Sequence, residues 1–176
     1  MAYFTSIKTS KTTSYVRLLH QRSTFRLNTY YQDMKNSYDY VGKKDTPESP
    51  DTEDNHGTMC AGAIAGAKND VCGVGVAFNA KIAGLRIMDA VQSVKHSDEA
   101  KAMNHGFQDV SIYSYSFGPE DDGETLGPEV YVLEQALLKG VNEGRGGKGS
   151  VFVFSAGNGG LPVIGDNCGY DGYINR

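Results

Sequence analysis

No stretch of the chain approaches 18 consecutive apolar residues, and its opening lacks the short continuous apolar run that a secretory signal peptide needs. The sequence as written neither spans a membrane nor announces export. Cysteine is scarce: Cys60, Cys72 and Cys168 stand far apart with no CxxC pair, which argues against a structural zinc site and leaves at least one thiol unpaired. With five prolines and no repeat, collagen, coiled coil and mucin-like stalk are excluded as well. What is present is ordinary for a soluble globular protein: 39% hydrophobic and 22% charged residues, 22 glycines and a net charge of −4. A chain of 176 residues suffices for one domain with a sizeable core.

Acidic residues are absent from the first 32 positions, which carry Lys8, Lys11, Arg17, Arg22 and Arg26. Such an acid-free, Ser/Thr-rich opening reads as a transit peptide, a basic arm or a segment foreign to the domain behind it. The stretch KKDTPESPDTEDN at 43–55 reads as a surface loop. HGTMCAGAIAGA from His56 suits a helix packed closely against something flat. KIAGLRIM at 81–88 predicts a buried strand, and SDEA at Ser97 predicts a helix with Ser97 at its N-cap. DVSIYSYSF at 109–117 and SVFVFSA at 150–156 predict two further strands. Between them lies a helix opening at Gly127-Pro128 and stopped by Gly144, Gly146, Gly147 and Gly149. Apolar strands alternating with helices predict an α/β fold, a doubly wound and mostly parallel sheet covered on both faces. Ligands of such sheets bind at the carboxyl ends of the strands, so the chemistry is expected after Met88, after Phe117 and after Ala156.

Two of these places carry candidate groups. Glu120, Asp121, Asp122 and Glu124 crowd one loop, and Asp166 and Asp171 follow the other. An acidic cluster is a solvated turn or a pocket for a cation, and both a basic side chain and calcium suit it. His56, between Asn55 and Gly57 at the mouth of a small-residue helix, has no bulky neighbour and suits a general base. Asn158, between glycines at a strand end, offers an amide to a developing oxyanion; one such donor contributes about 3 kcal/mol.

The blocks DNHGTMCAGAIAG, NDVCGVGVAFNAKIAGLRIMD, YSYSFGPEDDGETLGP, GVNEGRGGKGSVFVFSAGNGG and GDNCGYDGY resemble, in order, the subtilisin-like serine proteases of the kexin and furin type. That resemblance covers roughly residues 34–176 and looks most like a fungal member. It implies His56 as the catalytic base, Asn158 as the oxyanion-hole amide, and Asp121 and Asp171 as the carboxylates that hold the Arg before the cleaved bond. Glu53 and Asp54 match an acidic pair for the next basic residue, and Glu99 an acid at the outer subsites. Asp121 with Asp166 matches one calcium site; Asn69 by side chain, with Val71 and Gly73 by carbonyl, matches another. Cys60 resembles the family's free thiol beside the active site, and Cys72 and Cys168 resemble half-cystines with partners elsewhere.

The resemblance thus implies a calcium-dependent serine endopeptidase cleaving after paired basic residues such as Lys-Arg in precursor proteins. Its partners would be protein or peptide substrates, not nucleic acid, and its place the secretory pathway (Golgi) or cell surface. The sequence departs from the pattern in three ways. No Gly-Thr-Ser segment carries a nucleophile. No aspartate stands near positions 15–20, where the catalytic one is expected, and Phe117 replaces a tryptophan of the pocket wall. The expectation is a catalytically inactive excerpt: residues 29–176 a partial peptidase domain truncated at both ends, residues 1–28 a basic segment outside it. The other reading is a non-catalytic calcium-binding or surface protein on a degenerate protease scaffold. A dinucleotide site fails, because Gly73-Val74-Gly75-Val76-Ala77-Phe78 ends in Phe where a small residue is required.

Overall fold

Ile82 and Leu85 stand three apart in Lys81–Arg86, and the strand this segment forms presents one to each of two cores. The computed structural model describes residues 33–47, 56–70, 73–89, 93–119, 127 and 130–158, together with the backbone of 3–8. The strands are β1 (Tyr3–Lys8), β2 (Tyr38–Asp39), β3 (Lys81–Arg86), β4 (Ile112–Tyr115) and β5 (Val151–Phe154). The helices are α1 (His56–Ala65), α2 (His96–Met103) and α3 (Tyr131–Gly147). Ile82 packs with Ala61 and Ala65 of α1. Leu85 and Ile87 join Ala100, Ala102 and Met103 of α2, Val110, Tyr113, Tyr115 and Ala136 of α3 in the larger core. Successive strand residues point to opposite faces, so α1 lies on one side of β3 and α2 and α3 on the other.

The sheet order is β2-β3-β1-β4-β5. β2 runs parallel to β3, and β4 parallel to β5, each pair joined through a helix as parallel strands require. β1 departs from the parallel expectation: it lies between β3 and β4 and runs antiparallel to both. Its register explains the orientation, since Phe4 falls opposite Leu85 and Tyr115, and Ile7 opposite Ile82 and Ile112. A slip of one residue would exchange the two faces. The α/β class therefore stands, with a mixed sheet.

Aromatic rings fill the α2/α3 face. Tyr113 stacks on Phe152 with centroids 5.0 Å apart, and Tyr115 lies 4.5 Å from Phe154. Gly140 of α3 rides directly over Phe152, where a Cβ would come within 2.5 Å of the ring. The Asn104 amide donates to the Ala136 carbonyl at 2.9 Å, tying α2 to α3.

Two helix ends are informative. Regular α3 geometry fails at Gly144, and Arg145 and Gly146 take left-handed φ of 55° and 67°, so the glycine run stops the helix as its sequence predicts. α2 starts one residue before the Ser97 cap expected from SDEA. Lys95 is the cap residue and gives no side-chain bond; its carbonyl takes the Asp98 and Glu99 amides at 2.9 and 3.0 Å. Ser97 is left in the first turn, while His96 faces Glu99 one turn on.

Candidate active site

Because α1 connects two parallel strands, it begins at the carboxyl end of β2 and runs back toward the start of β3. His56, its first residue, is therefore carried to the edge of the sheet where ligands bind. Gly57, Ala61 and Gly62 are buried, so nothing bulky separates the imidazole from the sheet. The two ring nitrogens differ. Nε2 lies 3.7 Å from the Cys60 Sγ one turn along the helix, and Cys60 is a free thiol. Nδ1 is buried and meets no hydrogen-bond partner among the described residues. A base of the serine-protease kind needs an acceptor at that nitrogen to fix its tautomer.

Across the sheet, the loops after β4 and β5 leave side by side. The Ser155 amide donates to the Tyr115 carbonyl at 2.8 Å, and its hydroxyl to the Phe117 carbonyl at 3.4 Å. These bonds carry the ladder past the strand ends and keep Phe117 beside Ser155. Gly157 takes φ 85°, a turn open to glycine that lifts Asn158 to the exposed rim. Phe117 continues the ring stack from Tyr115, centroids 5.5 Å apart.

Glu99 is 2% exposed and faces His96, whose Nδ1 lies 3.3 Å from its Oε2. Asn69 and Gly73 come together at the far end of α1: the Asn69 amide donates to the carbonyls of Ala67 and Gly73 at 2.9 and 3.2 Å. The backbone amides of Gly75, Val76 and Ala77 fold back onto the carbonyls of Gly66, Ala63 and Ile64, and close the end of α1. Glu53, Asp54, Val71, Asp121, Asp166 and Asp171 lie outside the described residues, as do Cys72, Cys168 and positions 15–20. No group of three or more His, Cys, Asp or Glu able to hold a metal occurs among the described residues. Asn69 and Gly73 are of the oxygen-bearing types this hard cation takes, but here the Asn69 Nδ2, not its Oδ1, meets the Gly73 carbonyl, so an ion at this loop requires the amide to turn.

One buried cluster escaped sequence reasoning. Arg86 at the end of β3 and Asp39 at the end of β2 are 3% and 0% exposed; Arg86 Nη1 lies 3.3 and 3.2 Å from the two carboxylate oxygens. Asp39 Oδ1 also accepts the amides of Val41 and Gly42, and Arg86 reaches Asp89 at 3.5 Å. The pair fixes the turn at the head of the loop that leads to His56. The available signal was an Asp and an Arg at the ends of neighbouring parallel strands, visible only once the strands are paired.

A sheet of this order with a histidine at the first crossover helix and a Gly-Asn turn after the last strand defines a class, and comparison with known proteins gives it a name. The profile of the subtilase family matches residues 9–174, so the chain belongs to this family of serine endopeptidases. Within it the chain is similar to the kexin- and furin-type proteins. It is 48% identical over 139 residues to the dibasic-processing endoprotease of Schizosaccharomyces pombe, and 46% over 140 to the kexin of Saccharomyces cerevisiae. The furin of Bos taurus is 44% identical over 143 residues. Each alignment covers 79% of this chain but 19%, 17% and 17% of those proteins, so the chain spans less than a fifth of their length.

Proposed function

We propose that the chain is part of a kexin-type, calcium-dependent serine endopeptidase that cleaves after paired basic residues, such as Lys-Arg, in precursor proteins of the secretory pathway. The observation that carries this reading is His56 at the opening of α1, in a chain 48% identical to a protein whose printed name is dibasic-processing endoprotease. In the proposed reaction His56 Nε2 takes the proton of a serine nucleophile and returns it to the leaving amine, and the Asn158 amide donates to the oxyanion. Asp121 and Asp171 receive the Arg side chain before the cleaved bond, and Glu53 and Asp54 receive the basic residue before it; Glu99, 2% exposed and facing His96, meets no substrate directly. Opposed charge in a pocket shielded from water makes such recognition strong. Asn69, Val71 and Gly73 would hold one calcium ion, and Asp121 with Asp166 another. Bound there, the ion supplies structural clamping of loops. The proposed architecture around these residues is the doubly wound, subtilisin-like sheet over residues 29–176, with Tyr3–Lys8 of the preceding basic segment paired into it.

The nucleophile and its aspartate are not among these 176 residues in the positions the family uses, so the chain by itself is expected to bind without cleaving. The experiment is fluorescence anisotropy of a labelled peptide ending in Lys-Arg against one ending in Lys-Ala. The reading expects the first to bind at least tenfold tighter and Asp121→Asn to remove the difference. Equal affinity for both peptides overturns it. A second reading, a non-catalytic calcium-binding protein on the same scaffold, draws on the buried His56 Nδ1 that lacks a partner among the described residues. It expects calcium binding with no preference between the two peptides.

A further inference from the structure

Of the 17 Lys and Arg residues in the chain, only Lys43 and Lys44 are neighbours in sequence. The fold carries that pair to the tip of the turn that follows β2. Lys43, Lys44 and Asp45 are exposed, whereas Val41 on one side and Thr46 and Pro47 on the other are half-buried. Both flanks of the tip are pinned. The Asp39 amide donates to the Lys44 carbonyl at 2.8 Å, and the Lys44 amide to the Asp39 carbonyl at 3.2 Å. Pro47 lies against Gly84 of β3, where a Cβ would come within 2.9 Å of the proline Cγ. Between these anchors Lys43 takes a left-handed φ of 53°, which a residue with a side chain disfavours. From inside, Asp39 Oδ1 accepts the Val41 and Gly42 amides at 2.9 and 2.8 Å, and Arg86 holds the same carboxylate from β3.

An exposed tip of polar residues is where a folded chain is open to an endopeptidase. A bound peptide, however, is read in extended form, and this tip is bent. Cutting therefore needs a local opening that undoes the Asp39–Lys44 bridge and relieves Lys43. We propose that the Lys44–Asp45 bond is a processing site for an endopeptidase of dibasic specificity, and that the Asp39–Arg86 pair sets how often the site opens. That the cutting enzyme is of this chain's own kind rests on the function proposed above; the site itself rests on the turn. Water adds across the bond: Lys44 keeps the carbonyl as a carboxylate, Asp45 departs as an ammonium, and no other reactant is needed. The cut severs β2 from residues 45–55, which lead to His56. The helix that carries the imidazole then keeps its covalent link to β3 and loses the one to β2.

The test incubates the full chain with an endopeptidase of verified dibasic specificity, whose activity is read in the same tube from a fluorogenic peptide ending in Lys-Arg. Products are identified by intact mass and folding is followed by circular dichroism. The expected first products are residues 1–44 and 45–176. Lys43→Ala and Lys44→Ala should each slow the cut at least tenfold, and Asp39→Asn should speed it at least tenfold. Should Asp39→Asn fail to fold, Gly42→Ala replaces it, since a Cβ there would crowd Asp39 Oδ2 at 2.6 Å. A first cut elsewhere, no cut while the reporter peptide is consumed, Lys43→Ala cut at the parent rate, or a folded opening variant cut no faster than the parent overturns the proposal. Because the added enzyme supplies the activity, a chain that binds Lys-Arg and Lys-Ala peptides equally can still be cut after Lys44, so failure of the proposed function and failure of the site are told apart.

Discussion

Arg86 and Asp39 carry the largest single-residue stake in the described structure. Both are removed from water, and a buried charge left without its counter-ion is costly: breaking such a pair typically destabilises by about 3–5 kcal/mol. Asp39→Asn keeps the side-chain oxygen that accepts the Val41 and Gly42 amides but discards the charge. Asp89 stays within 3.5 Å of Arg86 as partial compensation. The expected loss in urea unfolding is therefore about 3 kcal/mol, at the lower end of that range. A loss below 1 kcal/mol would show that the carboxylate charge is not what Arg86 needs.

His105 makes the protein sensitive to acid. Burial holds its imidazole below the ordinary value of 6.5, Tyr40 Oη lies 2.9 Å from its Nδ1, and the Tyr38 ring stacks on it at 5.8 Å. Burial also raises the Tyr40 hydroxyl, which keeps its proton beside the ring. With the folded pKa depressed, the unfolded chain binds more protons. The stabilisation is thus complete above about pH 6.5 and lost as pH falls through that value toward the folded one. Thermal midpoints from pH 7.5 to 5 should fall more steeply for the parent chain than for His105→Asn. Parallel curves would remove His105 from the account.

At the level of elements, backbone approaches that only glycine permits join helix to loop and helix to strand. A Cβ on Gly75 would overlap the Gly66 nitrogen and the Ala65 backbone, so Gly75→Ala forces the 75–77 turn off the end of α1. The expected cost is about 2 kcal/mol, with faster hydrogen exchange at Val76 and Ala77, whose amides close that helix. Gly140→Ala meets a ring rather than backbone, and Phe152 can shift only by leaving Tyr113. A cost of about 1 kcal/mol with unchanged exchange at α1 would separate the two effects. The elements legible in the sequence were those with strong local pattern: α1 from its run of small residues, the stop of α3 from its glycines, and β3 to β5 from their apolar runs. Ser97 misled because its place in the capping pattern is a local signal, while the start of α2 is set by the Lys95 carbonyl.

On the scale of the whole molecule, sequence reasoning expected Asn158 at the carboxyl edge, after the strand at 150–156, because a strand-helix-strand alternation leaves few other arrangements, and read His56 from the mouth of its small-residue helix. It could not foresee β1. Six residues rich in β-formers gain their place from register with strands about 80 and 110 positions away, which no local window contains. The Arg86–Asp39 pair was hidden for the same reason. Calcium acts at this scale too. If the Asn69–Gly73 loop holds the ion, calcium at 100 times its Kd adds about 2.7 kcal/mol, raising the thermal midpoint where magnesium does not, and Asn69→Ala abolishes the rise. A midpoint indifferent to calcium would refute that loop as the ligand set.

The antiparallel strand β1 also sets a timetable for the ribosome. Tyr3–Lys8 is synthesised well before β4, the second of its neighbours, and at about 5–20 residues per second the interval is on the order of ten seconds. For most of that time a six-residue β-forming segment waits with neither neighbour made, and for the remainder with β3 alone. The centre of this sheet thus closes only when one of its earliest strands meets a late one, and a nascent-chain chaperone that shields Tyr3–Lys8 meanwhile would govern how much product is correctly assembled.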